Sequence, residues 1–288
     1  MSQEQLLLNY HDACIYTSDL NILKTPSSWL NDSCLYFRLT QLQQELLHPV
    51  INNRALSSVI SHETILCMDP SVLSYIMHQC DHDDLLDLHQ SLSLDEKVYL
   101  FLPINDGMNT RTDIWRRPGG GSHYSLLFAT ILQSDIIFFH FDSYNMSNET
   151  VAKMVSKRIR DLLQIKSDRK NEAVSNPISS SSTADIDLKN EGNFFSCATL
   201  QQANQHDCGL YTLTAIEAIL KSPRISEYFQ HLRTSCSTFS SKTVPLYQSL
   251  CEESILSFTK KEGFANELRK NMAEDIELLS KEYLSKNR

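Results

Sequence analysis

Apolar residues recur with two different periods along the chain. From Asn31 and Asp32, which can cap a helix, Leu35, Leu39, Leu42 and Leu46 follow at helical spacing until Pro49 ends the pattern. Between residues 97 and 142 the pattern turns into short, nearly continuous apolar runs. Val98 to Leu102 reads as a strand that Pro103 weakens or ends, with a turn at Asn105-Asp106-Gly107. His123 to Leu132 and Ile136 to Asp142 read as two more strands, and their lack of alternation predicts a sheet buried on both faces. Only a short turn around Gln133-Ser134-Asp135 separates them, so they should be antiparallel neighbours. The helical period returns at 147–166, with Val151, Met154, Val155, Ile159, Leu162 and Leu163 on one face and a solvated Lys/Arg face opposite. Phe194 to Cys197 predicts a strand and Leu210 to Leu220 a buried helix. Helices follow at 225–233, roughly 245–259 and 263–285, the last with Leu268, Met272, Ile276 and Leu279 as its apolar line.

Elsewhere the pattern is weaker. Ala13 to Tyr16 and Leu20 to Leu23 read as short strands or extended arms, and residues 50–96 as irregular helix, with Val72 to Met77 and Leu85 to Leu88 covering a core. Residues 167–192 are polar and Ser-rich and read as a flexible insertion. Candidate chemistry lies on both sides of it, so residues 1–288 are expected to form a single domain with a helical C-terminal segment.

Composition narrows the function classes. The chain has 288 residues, 41% hydrophobic and 21% charged, with a formal net charge of −9, which argues against a general nucleic-acid binder. No apolar run approaches the roughly 18 residues of a membrane span, and the first residues do not resemble a signal peptide. Eight cysteines form no CxxC pair, so the reducing cytosol or nucleus is the expected compartment. His78, Cys80 and His82 alternate, but Asp81, Asp83 and Asp84 surround them and no second cluster has zinc-ligand spacing. A solvated loop or helix end is expected there, with no metal and no cofactor.

The candidate chemistry centres on Gln202 to Gly209. Asp207 is a good N-cap residue, which puts Cys208 in the first turn of the buried helix. Unpaired N–H groups and partial positive charge at that end favour a thiolate nucleophile. Gln202, six residues earlier, can turn its amide back toward the sulfur as an oxyanion donor. A hairpin centred between residues 132 and 133 sets His123 opposite Asp142, to within a residue or two, and directly opposed residues share a face. A His can deprotonate the thiol and later protonate a leaving amine, and an Asp can orient it. These parts suit a thiol protease or a thiol transferase. Each also has a plainer reading: a buried small hydrophobe at Cys208, polar strand ends at His123 and Asp142, and a packing anchor at Trp29.

Several strings resemble the Ulp/sentrin-type cysteine proteases of ubiquitin-like modifiers: Trp29-Leu30-Asn31-Asp32, Phe101 to Asp106, Gly121 to Leu127, Phe138 to Ser143 and Gln202 to Gly209. The likeness runs in order over about residues 10–260 and is strongest to the deneddylase branch. It implies an α+β, papain-like fold with a central mixed sheet flanked by helices. It implies His123 as general base, Asp142 as orienting acid, Cys208 as nucleophile and Gln202 as oxyanion donor. Trp29 would be the lid of a channel for a Gly-Gly tail, and Asp32 would face that tail. Tyr124, where most relatives have Trp, would keep a flat wall with a hydroxyl rim. The partner implied is a ubiquitin-like modifier of Nedd type, or its conjugates, cleaved by a monomer that needs neither nucleic acid nor membrane. SUMO or ubiquitin specificity, a thiol acyltransferase and an inactive modifier-binding module are the alternatives.

Overall fold

The three apolar runs become strands β4 (Tyr99–Asn105), β5 (Tyr124–Leu132) and β6 (Asp135–Phe141) in the middle of a five-stranded sheet. The computed structural model describes residues 4–47, 64–109, 121–132, 135–172, 193–234 and 243–286. Short edge strands β3 (Ile65–Cys67) and β7 (Phe194–Cys197) pair in parallel with β4 and β6, while β4–β5 and β5–β6 are antiparallel. The sheet is therefore mixed. Pro103 does not end β4; it pairs opposite Leu126 within the strand. Among the described residues β3 pairs only with residues 99–101, so β4 has no strand on that side beyond this point, where a missing N–H is tolerated.

Both faces of the sheet are buried, as the unbroken runs predict. On one face Phe101, Phe128 and Phe139 stack in a row, with centroids 4.8 and 6.1 Å apart. Against them pack helices α2 (Asp32–Leu47), α6 (Cys208–Leu220), α7 (Pro223–Thr234), α8 (Thr243–Thr259) and α9 (Phe264–Lys286). The other face carries Leu100, Leu102, Leu127 and Phe138 under α3 (Pro70–His78), α4 (His82–Ser91) and α5 (Glu149–Glu172). Helix α6 is buried nearly all round, which only an apolar sequence like its own permits.

Several local expectations change. Leu20 to Leu23 belong to a helix, α1 (Thr17–Lys24), not to an extended arm. The Asp19 carboxylate accepts from the Tyr16 N–H at 2.8 Å and so starts that helix, right after the hairpin of β1 (Leu6–Tyr10) and β2 (Ala13–Tyr16). Helix α5 continues to Glu172, so the start of the polar stretch is helical; residues 173–192 of the expected insertion lie outside the described residues. The basic side of α5 is not wholly solvated. Arg158 donates to the carbonyls of Ile76 and Cys80, and the Arg160 guanidinium lies 4.8 Å from the Phe138 ring centroid. His78 ends α3 and His82 begins α4, and no metal-binding cluster occurs among the described residues.

The β5–β6 register differs from expectation by two. Leu132 pairs with Asp135 and Leu126 with Phe141, so the hairpin is centred between residues 133 and 134, which themselves lie outside the described residues. Asp142 is then level with Ser125 rather than with His123. A shift of two keeps every side chain on its face, so His123 and Asp142 become diagonal neighbours within reach of each other.

Candidate active site

His123 stands just before β5 and its main chain is held on both sides. The Asp106 carboxylate accepts from the N–H groups of Ser122 and His123 at 2.6 and 3.0 Å. The His123 carbonyl accepts from the Asp106 N–H at 3.2 Å and from Asn148 Nδ2 at 3.1 Å. Gly121 makes this closure possible: a Cβ there would lie 2.7 Å from the Asn105 side-chain oxygen. Residues 110–120, a polar, Gly-rich stretch in the sequence, lie outside the described residues.

From this fixed backbone the imidazole reaches across to Asp142. His123 Nε2 is 2.6 Å from Asp142 Oδ1. The same carboxylate accepts from the N–H groups of Tyr144, at 2.8 Å, and Asn148, at 2.9 Å. Asp142 is fully buried, and burial alone would raise its pKa; the His123 bond and these two N–H groups outweigh that and hold it below the usual carboxylate range. With Nε2 engaged, Nδ1 is the nitrogen left for the thiol. Burial pushes the His123 pKa down, but hydrogen bonds and charge from Asp142 and Cys208 raise it to about 9. The arrangement favours the imidazolium form of His123.

Cys208 opens α6 and is 3% exposed. Asp207 occupies the N-cap position, but its side chain makes no capping bond. Its carboxylate turns instead to Asn204 Nδ2, at 2.8 Å, and to Arg269, at 3.2 Å. The first-turn N–H groups of α6 therefore face the reaction centre without a carboxylate on them. Gln202 is tied down by its neighbours. Its Oε1 accepts from Ser143 Oγ at 2.8 Å, its N–H donates to the Ser143 carbonyl at 2.9 Å, and Nε2 donates to the Asn204 carbonyl at 2.7 Å. A primary amide carries two donors, so one remains for an oxyanion.

The three residues expected to contact a tail frame the approach. Trp29 is 50% exposed, so it is not a packing anchor; its neighbour Leu30 is the buried one. Leu30 packs onto Gly209, where a Cβ would meet it at 3.2 Å, so this glycine brings the Trp29 segment against the turn that carries Cys208. The Tyr124 hydroxyl donates to Asp32 Oδ1. Burial, and then the Asp32 charge, raise the Tyr124 pKa, so the phenol stays protonated, while burial raises that of Asp32. The structure thus joins the start of α2 to the strand next to His123, and the hydroxyl rim expected of Tyr124 is already engaged.

Some functional residues escaped the sequence reading. Asn148 is fully buried and fastens His123, Asp142 and Ser125 together. Ser125 Oγ also lies 3.0 Å from Nε2 of His140, whose pKa burial lowers to about 4, so that this ring is neutral. Tyr144 sets its ring 5.7 Å from the His123 imidazole. An Asn a few residues past a candidate acid is the one signal available, and it has no periodicity to mark it.

The fold and the sequence have counterparts among known proteins. The fold matches a solved de-sumoylating protease with a TM-score of 0.58 at 16% identity, over 99% of this chain and 94% of that one. In sequence the chain is 28% identical over 218 residues to a probable sentrin-specific protease 8 of Dictyostelium discoideum, covering 76% of each. It is 27% identical over 219 residues to sentrin-specific protease 8 of Homo sapiens (76% of this chain, 83% of that one). It is 29% identical over 219 residues to NEDD8-specific protease 1 of Arabidopsis thaliana (76% of each). Residues 29–254 match the C-terminal catalytic domain of the Ulp1 proteases, and with the sheet, helix and thiol arranged as described, the chain belongs to the Ulp1 protease family.

Proposed function

We propose that this chain is a cysteine peptidase that cleaves after the C-terminal Gly-Gly of a ubiquitin-like modifier, of Nedd type, in precursors or in conjugates to lysine. The observation that carries the chemistry is the bond between His123 Nε2 and Asp142 at 2.6 Å beside a thiol at a helix N-terminus. Support for the modifier comes from the relatives named for NEDD8 and from the sentrin-specific protease 8 group.

The thiolate of Cys208 attacks the glycine carbonyl carbon while His123 holds the proton. Charge that develops on the oxygen is met by the Cys208 N–H and the second Nε2–H of Gln202; losing one such donor typically costs about 2.7–4 kcal/mol. As the tetrahedral intermediate collapses, the C–N bond breaks and the imidazolium protonates the departing amine. A water then gives one proton to His123 and its hydroxide attacks the thioester carbonyl; the C–S bond breaks, the glycine carboxylic acid leaves and loses its proton to solvent, and the thiolate–imidazolium pair is restored. Trp29 and Tyr124 would form walls close enough that only residues without a Cβ pass. All four groups come from one chain, so a monomer suffices, and a thiol nucleophile suits the cytosol or nucleus.

The test is release of a fluorogenic amide from the C-termini of Nedd, SUMO and ubiquitin, with Cys208→Ala as control. Preference for Nedd supports the whole reading. Preference for another modifier keeps the triad and moves the specificity. Turnover by Cys208→Ala, or none by the folded wild type, refutes it.

A further inference from the structure

The C-terminal helix reaches the catalytic centre through one side chain. Arg269 of α9 is 3% exposed. Its Nη1 donates to the carbonyls of Ile22 and Thr25 at 3.2 and 3.4 Å, and its Nη2 to the carbonyl of Ser28 at 2.8 Å and to Asp207 Oδ1 at 3.2 Å. Ile22 and Thr25 are at the C-terminal end of α1, where the negative end of the helix dipole favours a cation; their carbonyls also accept from the N–H groups of Thr25 and Ser28. Ser28 immediately precedes Trp29, and Asp207 immediately precedes Cys208. Arg269 and the three residues whose carbonyls accept from it, Ile22, Thr25 and Ser28, all fall outside residues 29–254, the span that matches the family.

We propose that Arg269 is a positioning residue for the cleavage reaction. It fixes the backbone that carries Trp29 and withholds the Asp207 carboxylate from the start of α6; the proposal rests on the peptidase reading above. Two physical points support it. A planar guanidinium has several donors in a fixed fork and can span four acceptors, which a lysine ammonium with three donors cannot do in one position. Asp207 has the residue type and the place of an N-cap, yet it makes no capping bond because Arg269 and Asn204 take its oxygens. Without Arg269 only the Asn204 hydrogen bond holds that carboxylate, and its freed oxygen can turn onto the first-turn N–H groups and bring negative charge to the end where the thiolate and oxyanion form.

The role therefore splits into two parts that kinetics separates. With active sites titrated by a modifier bearing an electrophilic C-terminus, Arg269→Met is expected to raise KM about tenfold and lower kcat about tenfold on the Nedd amide substrate. Adding Asp207→Ala removes the stray carboxylate, so the double variant should recover most of the kcat while its KM stays high. A purely structural arginine predicts the opposite, a double variant no better than the single. Arg269→Lys keeps a cation beside Asp207 but loses the carbonyl anchors, so its kcat should stay near wild type with KM raised. If Arg269→Met does not fold, the lysine variant decides: a wild-type KM overturns the proposal. With the wild type active, unchanged KM and kcat in Arg269→Met, or no recovery of kcat in the double variant, also overturn it alone. An inactive wild type overturns the peptidase reading and this proposal with it.

Discussion

Replacing Asp142 by Asn tests the electrostatic account of the site most directly. The carboxylate accepts from three donors, with His123 Nε2 and the Tyr144 N–H on one oxygen and the Asn148 N–H on the other. An amide has only one acceptor oxygen, so whichever way it turns, its NH2 faces at least one of those donors. Asp142 and Cys208 together raise the His123 pKa from 6.5 to about 9 against burial. At about 1.4 kcal/mol per unit, that preference for the imidazolium is on the order of 3 kcal/mol. Asp142 heads the favourable contributions, so losing its charge forfeits about half or more, a rate loss of roughly ten- to a hundredfold. A misdirected ring would deepen it. The assay is kcat/KM on the Nedd amide substrate from pH 6 to 10. Because the folded pKa of His123 lies above its ordinary value, the proton is held up to about pH 9 and lost beyond it, so wild-type activity should fall there. The Asn variant should move this limb down by about one to two pH units, to between about pH 7 and 8. An alkaline limb that stays near pH 9 in the variant, or a loss under threefold, would refute the assignment of Asp142.

Four other outcomes follow from the same contacts. Asn148→Ala removes the donor to the His123 carbonyl and to Ser125 Oγ, and should cost about 2 kcal/mol in urea unfolding along with a tenfold or greater drop in kcat; a stability change under about 0.5 kcal/mol counts against the role given to this residue. Tyr124→Phe leaves the Asp32 carboxylate without its hydroxyl donor and should destabilise by about 1–3 kcal/mol at pH 7, read by the same method; an unchanged midpoint contradicts it. Gly209→Ala forces Leu30 back by a few tenths of an ångström and should raise KM several-fold with little effect on stability, so an unaltered KM dissociates Leu30 from the lid. Because burial lowers the His140 pKa from 6.5 to about 4, the unfolded chain binds its proton first and stability falls as pH drops through that window. His140→Gln should flatten this decline in urea midpoints measured between pH 6.5 and 4, and an equally steep decline would clear His140 of it.

Strong local signals were enough for much of the fold. The apolar runs at 99–102, 124–132 and 136–141 had to be buried strands, and the antiparallel hairpin follows from the short turn between two of them. The capping residues before Leu35 and the unbroken apolar stretch after Cys208 placed both helices that build the site. Edge strand β3 was not visible because three residues carry no period, and α1 was misread because its start depends on individual bonds, from the Tyr16 N–H to Asp19 and from the Thr17 and Ser18 N–H groups to Gln5 and Glu4. The hairpin register came out two residues off, since turn length is not written in the apolar pattern, although the face of each side chain was right.

What the sequence by itself determined was the set of reacting groups and the order in which they occur, because nucleophile, base and acid are residue types with intrinsic chemistry. Only the tertiary structure decided how they are held. The Asp142 carboxylate is held charged against its burial because His123 and two main-chain N–H groups from the following turn converge on it. Trp29 stays at the surface because Leu30 takes the contact with Gly209. Asp207 is turned away from its helix by an arginine 62 residues further along the chain. The last two are contacts between segments distant in sequence, and the energy of all three depends on burial and direction, which no local pattern of residues encodes.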